Sequence, residues 1–116
     1  MSNRLPKHLH DALAAARLAM EFLRGVDAEG HAANALVRSA VERQLEILGE
    51  ACRRALDEDP TLRDRIPEVS LAVALRNRII HGYDRVEHAI VFDTVKRDLP
   101  ILAERVKDEL YRHPNP

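Results

Sequence analysis

Val37-Arg38-Ser39-Ala40-Val41-Glu42-Arg43-Gln44-Leu45-Glu46-Ile47-Leu48-Gly49-Glu50-Ala51-Cys52-Arg53-Arg54-Ala55-Leu56 is the run whose reading decides the fold class. Val37, Val41, Leu45, Leu48, Cys52 and Leu56 fall three or four residues apart, with charged or amide side chains between most of them. Apolar groups at that spacing line one face of an α-helix. The run predicts a long helix over about 31–58.

The same period extends to both sides. Leu9, Ala12, Leu13, Ala16, Met20 and Leu23 predict a first helix over about 6–24, and Gly25 and Gly30 bracket a turn. Asp59-Pro60 and Ile66-Pro67 punctuate a stretch with room for one short helical turn. Glu68 or Ser70 starts a further helix carrying Leu71, Leu75 and Ile79, with its stop near Gly82. The last helix, about 86–111, carries Val91, Val95, Leu99, Leu102, Val106 and Leu110. Pro100 lies inside that stripe, and its ring predicts a kink there. The tail from His113 to Pro116 reads as frayed. No strand, repeat or linker is legible. The expectation is all-α: one domain over 1–116, folded as an antiparallel bundle of four to five helices. So narrow a bundle leaves an apolar face to cover, and a two-fold homodimer is the simplest cover.

Composition narrows the function classes. At 116 residues, 46% of them apolar, the chain can bury a core without staples. Aromatics make up 3% and Trp is absent, which argues against a platform of stacked bases. A net charge of −1 supplies no global basic field, so any nucleic-acid contact must be local. Arg outnumbers Lys 15 to 3, which suits phosphate contact but also a codon composition rich in G and C. Cys52 is the only cysteine and lies on an apolar stripe, so it reads as a packed thiol in a reducing cytoplasm. The N-terminal residues lack a signal-peptide core, and no apolar run is long enough to span a membrane.

One run reads as chemistry: Arg76-Asn77-Arg78-Ile79-Ile80-His81-Gly82-Tyr83. It gathers a permanent planar cation, an imidazole able to exchange a proton near neutral pH and a phenol at a helix end. Asn77 and Arg78 precede His81 by four and three residues and share its face. Arg76 precedes it by five, so it points about 140° away around the axis. Its long side chain can still reach round, or a second subunit can complete the site. A solvated helix end, where His and Arg favour the negative end of the dipole, would produce a similar run. Glu50, one turn beyond Glu46, is a candidate partner for Arg76. The other histidines are less promising, since His8 and His10 face different ways and His31 and His113 lie near ends. No zinc-type spacing of Cys and His is present.

The blocks Ala40–Ala51, Ile66-Pro67, Leu75–Asp84 and Asp98-Leu99-Pro100, in that order and spacing, closely resemble the HepT-like HEPN family over roughly residues 10–107. Relatives often carry an aromatic soon after the Ile-Pro, where this chain has Glu68-Val69-Ser70, a change expected to alter packing near the site and not the chemistry. The resemblance implies a helical bundle that dimerises and brings two Arg-x4-His motifs into one cleft. It implies a metal-independent endoribonuclease with no cofactor, the toxin of a type II/VII-like pair. The partner would be a nucleotidyltransferase antitoxin that silences it by transferring AMP to the motif tyrosine, Tyr83.

The chemistry is sound on its own terms. An imidazole with an ordinary pKa of about 6.5 can take the proton of an RNA 2′-hydroxyl, and a second acid can protonate the leaving 5′-oxygen. A guanidinium can hold the added charge on phosphorus. On this reading His81 is the general base or acid and Arg76 the transition-state clamp. Asn77 orients or binds phosphate, and Arg78 contacts RNA backbone. The competing reading is a non-catalytic HEPN module that binds nucleotide, RNA or a nucleotidyltransferase.

Overall fold

Three of the four apolar stripes turn inward as expected in a computed structural model, which describes residues 3–81 and 87–113. Among those residues every regular element is helical: α1 (Leu5–Phe22), α2 (Ala28–Ala33), α3 (Ala35–Glu58), α4 (Leu62–Arg65), α5 (Glu68–Ile80), α6 (His88–Asp93), a π-helical turn (Thr94–Asp98) and α7 (Leu99–Tyr111). Leu9, Ala12, Leu13 and Ala16 of α1 meet Val41, Leu45, Leu48 and Cys52 of α3 in one core. Val91, Val95, Leu99, Leu102 and Val106 close it from the C-terminal side. α1 packs on both α3 and α7, and α5 packs on the far side of α3. The result is a narrow bundle, 46 × 28 × 21 Å.

Local chemistry sets the boundaries. The Asn3 side chain accepts from Leu5 N at 3.0 Å where α1 begins, and Pro6 occupies its first turn. After α1 the chain turns through Gly25 at φ +72°, where a side chain would be strained. Asp27 then caps α2, its carboxylate accepting from Gly30 N at 2.7 Å.

The structure departs from the sequence reading at three places. The long helix expected over 31–58 is two helices, broken at Asn34, whose side-chain oxygen accepts from Val37 N at 3.1 Å. Alanines on both sides disguise a good N-cap as a helix interior. On α5 the buried residues are Val69, Ala72 and Leu75, whereas Leu71 is 49% exposed. That segment is apolar nearly all round, so period alone could not choose its inner face. The distortion expected at Pro100 takes the form of the π-helical turn just before it. Wider winding there accommodates a ring that cannot donate and crowds the carbonyl one turn back. Lys96, within that turn, donates to Leu23 O at 2.6 Å and so caps the end of α1.

Polar clasps fasten the ends. Arg65 donates through Nε and Nη2 to Glu109, both at 3.1 Å, and through Nη2 to Asp59 at 2.7 Å. Burial opposes the charge of Glu109, yet hydrogen bonds from Arg65 and His113 prevail and hold its carboxyl below the ordinary range. Glu68 accepts from Arg105 at 2.9 Å and ties α5 to α7. Burial pushes the Cys52 thiol up to about 12, so it is a packed group and not a nucleophile at neutral pH.

His31 is 1% exposed, and neither ring nitrogen has a hydrogen-bond partner among the described residues. Its ring meets His88 edge-on at 6.1 Å and Phe92 at 5.8 Å, joining α2 to α6. Burial, then the nearby His88 and Arg38, depress its pKa. A depressed histidine gives stability that is present above the ordinary value of about 6.5 and is lost as pH falls below it. His31→Leu is therefore expected to gain about 1 kcal/mol at neutral pH by removing two unsatisfied polar atoms. It should also flatten the loss of stability between pH 6.5 and 5. Urea unfolding at pH 7.5 and 5.5 measures both, and an unchanged pH slope would contradict the assignment.

Candidate functional site

The site is built where α5 comes closest to α3. Gly49 makes the approach possible: a Cβ there would lie 2.2 Å from Arg76 Cβ and 3.0 Å from the Ala72 carbonyl oxygen. Gly49 and Ala72 bring the two backbones together, and the stem of Arg76 runs over the glycine. Its Nη2 then donates to Glu50 Oε2 at 3.0 Å. The pairing of Arg76 with Glu50 expected from the sequence is present.

Glu50 is a shared carboxylate. It also accepts from Arg53 Nε at 3.1 Å and from Arg54 Nε at 3.2 Å. Hydrogen bonding from Arg53 chiefly, opposed by burial and helped by Arg54, holds it below the ordinary carboxylate range. It stays ionised at neutral pH and fixes one edge of the Arg76 fork. Asn77 accepts from the other edge, Arg76 Nη1 to Oδ1 at 3.2 Å. Arg76 Nε is buried without an acceptor, and the side chain as a whole is 23% exposed.

Arg76 and Ile80 border a groove of about 470 Å³ between α1 and α3, whose walls include Lys7, Asp11, Leu18, Arg43, Ile47 and Arg54. Leu18 and Ile80 are 44% and 46% exposed. Asn77, Arg78 and His81 are exposed on the last turn of α5, where His81 N donates to Asn77 O at 3.1 Å. No hydrogen bond joins the His81 and Arg76 side chains among the described residues. Arg76 faces the α3 interface while Asn77, Arg78 and His81 face outward, as the helical spacing requires. Gly82, Tyr83 and Arg85 lie outside the described residues, so the position expected for modification has no geometry here.

Gly49 is the positioning residue that sequence reading passed over. Its signal was a glycine in the middle of a strongly helical run, a choice that costs about 1 kcal/mol against alanine unless close packing requires it. Among the described residues, no helix is long and apolar enough to cross a membrane. No group of three or more His, Cys, Asp or Glu among them is placed to hold a metal ion.

Comparison with known proteins identifies the family. Residues 12–109 match a family described as ribonuclease HepT-like. A chain named "Putative RNase" from Methanocaldococcus jannaschii is 34% identical over 101 residues, covering 85% of this chain and 90% of its own. One named "Probable ribonuclease HepT" from Thermococcus cleftensis is 34% identical over 95 residues, covering 82% and 86%. Another, from Caldanaerobacter subterraneus subsp. tengcongensis and named like the first, is 27% identical over 105 residues, covering 90% and 93%. No solved structure matches the chain with significance.

Proposed function

The chain belongs to the HepT-like ribonuclease family, and on that premise we propose that it is a metal-independent endoribonuclease acting through Arg76 and His81. The observation that carries the reading is Arg76. Its guanidinium is held by an ionised carboxylate and an amide at the rim of a groove. A cation fixed before substrate arrives is what stabilising an extra charge on phosphorus demands. A bare helix-end cation needs no such bracing.

His81 removes the 2′-hydroxyl proton, and the 2′-oxygen bonds to phosphorus. The bond to the 5′-oxygen breaks, and that oxygen leaves with a proton supplied by a second acid. The products are a 2′,3′-cyclic phosphate and a 5′-hydroxyl. Arg76 holds the non-bridging oxygens, Asn77 orients its fork, and Arg78 contacts the RNA backbone.

The second acid is His81 of a second copy. Leu18, Ile47 and Ile80 make an apolar border beside Arg76 that two copies can cover together, which would bring two motifs into one cleft. Tyr83, two residues past His81, is the site where a nucleotidyltransferase antitoxin would silence the toxin. Its phenol oxygen bonds to the α-phosphorus of ATP, pyrophosphate leaves, and the phenol proton passes to a base of the transferase. The bound AMP blocks the cleft and repels RNA. Co-expression with a cognate transferase should add one AMP mass to the Tyr83 peptide. Neutralised toxicity with an unmodified peptide would mean that inhibition works by binding alone.

The direct test is cleavage of single-stranded RNA by the purified protein in the presence of a chelator. His81→Ala should lower the rate by about 10²–10⁴-fold. Equal rates for the two proteins would end the assignment and leave a non-catalytic binding module.

A further inference from the structure

We propose that the groove between α1 and α7 is a second RNA-binding surface, one that holds the strand away from the reacting phosphate. The groove has a volume of about 420 Å³ and is lined by His10, Leu13, Arg17, Lys107, Leu110, Tyr111 and His113. Among the described residues, no acidic side chain lines it. For a chain with a net charge of −1 this is a local concentration of positive groups, the kind of patch that the overall composition requires of any nucleic-acid contact.

Arg17 and Lys107 form no salt bridge among the described residues, whereas Lys7, Arg24, Arg43, Arg53, Arg65 and Arg105 all do. Glu21, one turn beyond Arg17, is paired with Arg24, and Glu109, two residues past Lys107, is buried and engaged by Arg65 and His113. His10 and Arg17 stand two helical turns apart on one face of α1, about 10 Å along the groove. That spacing lets an imidazole and a guanidinium donate to different phosphates of one strand. Leu13 and Leu110 form an apolar floor, and the Tyr111 ring, 75% exposed, stands free at the edge. A free ring beside unpaired cations suits a base stacked next to its own phosphate, which favours RNA over an acidic protein segment.

The groove is distinct from the one at Arg76. Lys7, Asp11 and Leu18 face α3 on one side of α1, while His10, Leu13 and Arg17 face α7 on the other. A helix is only about 10 Å across, so a strand held at Arg17 needs few nucleotides to pass over α1 to the Arg76 groove. The choice of RNA as the occupant rests on the ribonuclease reading.

The test measures binding and cleavage separately. Anisotropy of a labelled 12-nucleotide single-stranded RNA is followed in a His81→Ala background. Arg17→Glu/Lys107→Glu is compared with Arg63→Glu/Arg97→Glu, which makes the same charge change outside the groove. The groove pair should weaken binding at least 30-fold and lower the salt slope by about two. Tyr111→Ala should weaken it about tenfold. With His81 intact, the groove pair should raise KM and leave kcat within twofold. Equal weakening by the two pairs, or cleavage with an unchanged KM, would overturn the groove while leaving the ribonuclease standing. RNA binding that depends on the groove in a protein unable to cleave would do the reverse. An effect of the groove pair on an acidic peptide, with none on RNA, would also overturn the proposal.

Discussion

Gly49→Ala should lower both stability and activity, although alanine is the better helix former. The new methyl would lie 2.2 Å from Arg76 Cβ and 3.0 Å from a backbone oxygen. Neither neighbour is the far end of a flexible chain, so α3 and α5 must move apart. Overpacking of this kind costs about 1–3 kcal/mol, more than the gain of about 1 kcal/mol in helix propensity can offset. A fall in Tm of order 5–10 °C is expected for a chain of this size. Activity should fall further than stability, because shifting a catalytic group by about 1 Å can cost about 100-fold. Thermal melting and cleavage rates for the one variant measure both effects. An unchanged melt with an unchanged rate would mean that the close approach is not needed.

Arg76→Ala should reduce cleavage by about 10²–10³-fold, the loss seen when one group stabilising developing charge is removed. Arg76→Lys should recover little, since a point charge cannot bridge Glu50 and Asn77 as the planar fork does. Melting should change less, because Glu50 keeps Arg53 and Arg54 as partners when the fork is lost. Adding an excess of the Arg76→Ala/His81→Ala double variant to the wild type extends the test. If two copies share one cleft and each supplies an imidazole, subunit exchange verified by mass should lower the rate per wild-type chain at least tenfold. An unchanged rate after exchange would show that each copy works alone.

How far the sequence could be read follows from the range of each interaction. The stripes of α1, α3 and the C-terminal helix repeat over many turns, so their inner faces were legible. Arg76 was singled out because its chemistry is local to an eight-residue run. Its partner Glu50 could be suggested because it lies on the neighbouring long helix. Other features depend on distance in space. His31 and His88 meet from segments 57 positions apart in the sequence. Arg65 finds Glu109 across 44 residues. Gly49 matters only once α5 lies against it, and Arg17 and Lys107 share a groove only because α1 lies beside α7. Asn34 failed for the opposite reason: its capping bond is local, but alanine on both sides outweighed it.

The most direct measurement is mass analysis of the ends of RNA fragments made by the purified protein with a chelator present, beside a substrate carrying a single 2′-deoxy nucleotide at the mapped cut. Attack by the 2′-oxygen, with its proton taken by His81, predicts 2′,3′-cyclic phosphate and 5′-hydroxyl ends, and no cut at the deoxy position. Fragments ending in 3′-hydroxyl and 5′-phosphate, or a cut that persists at the deoxy position, would contradict it.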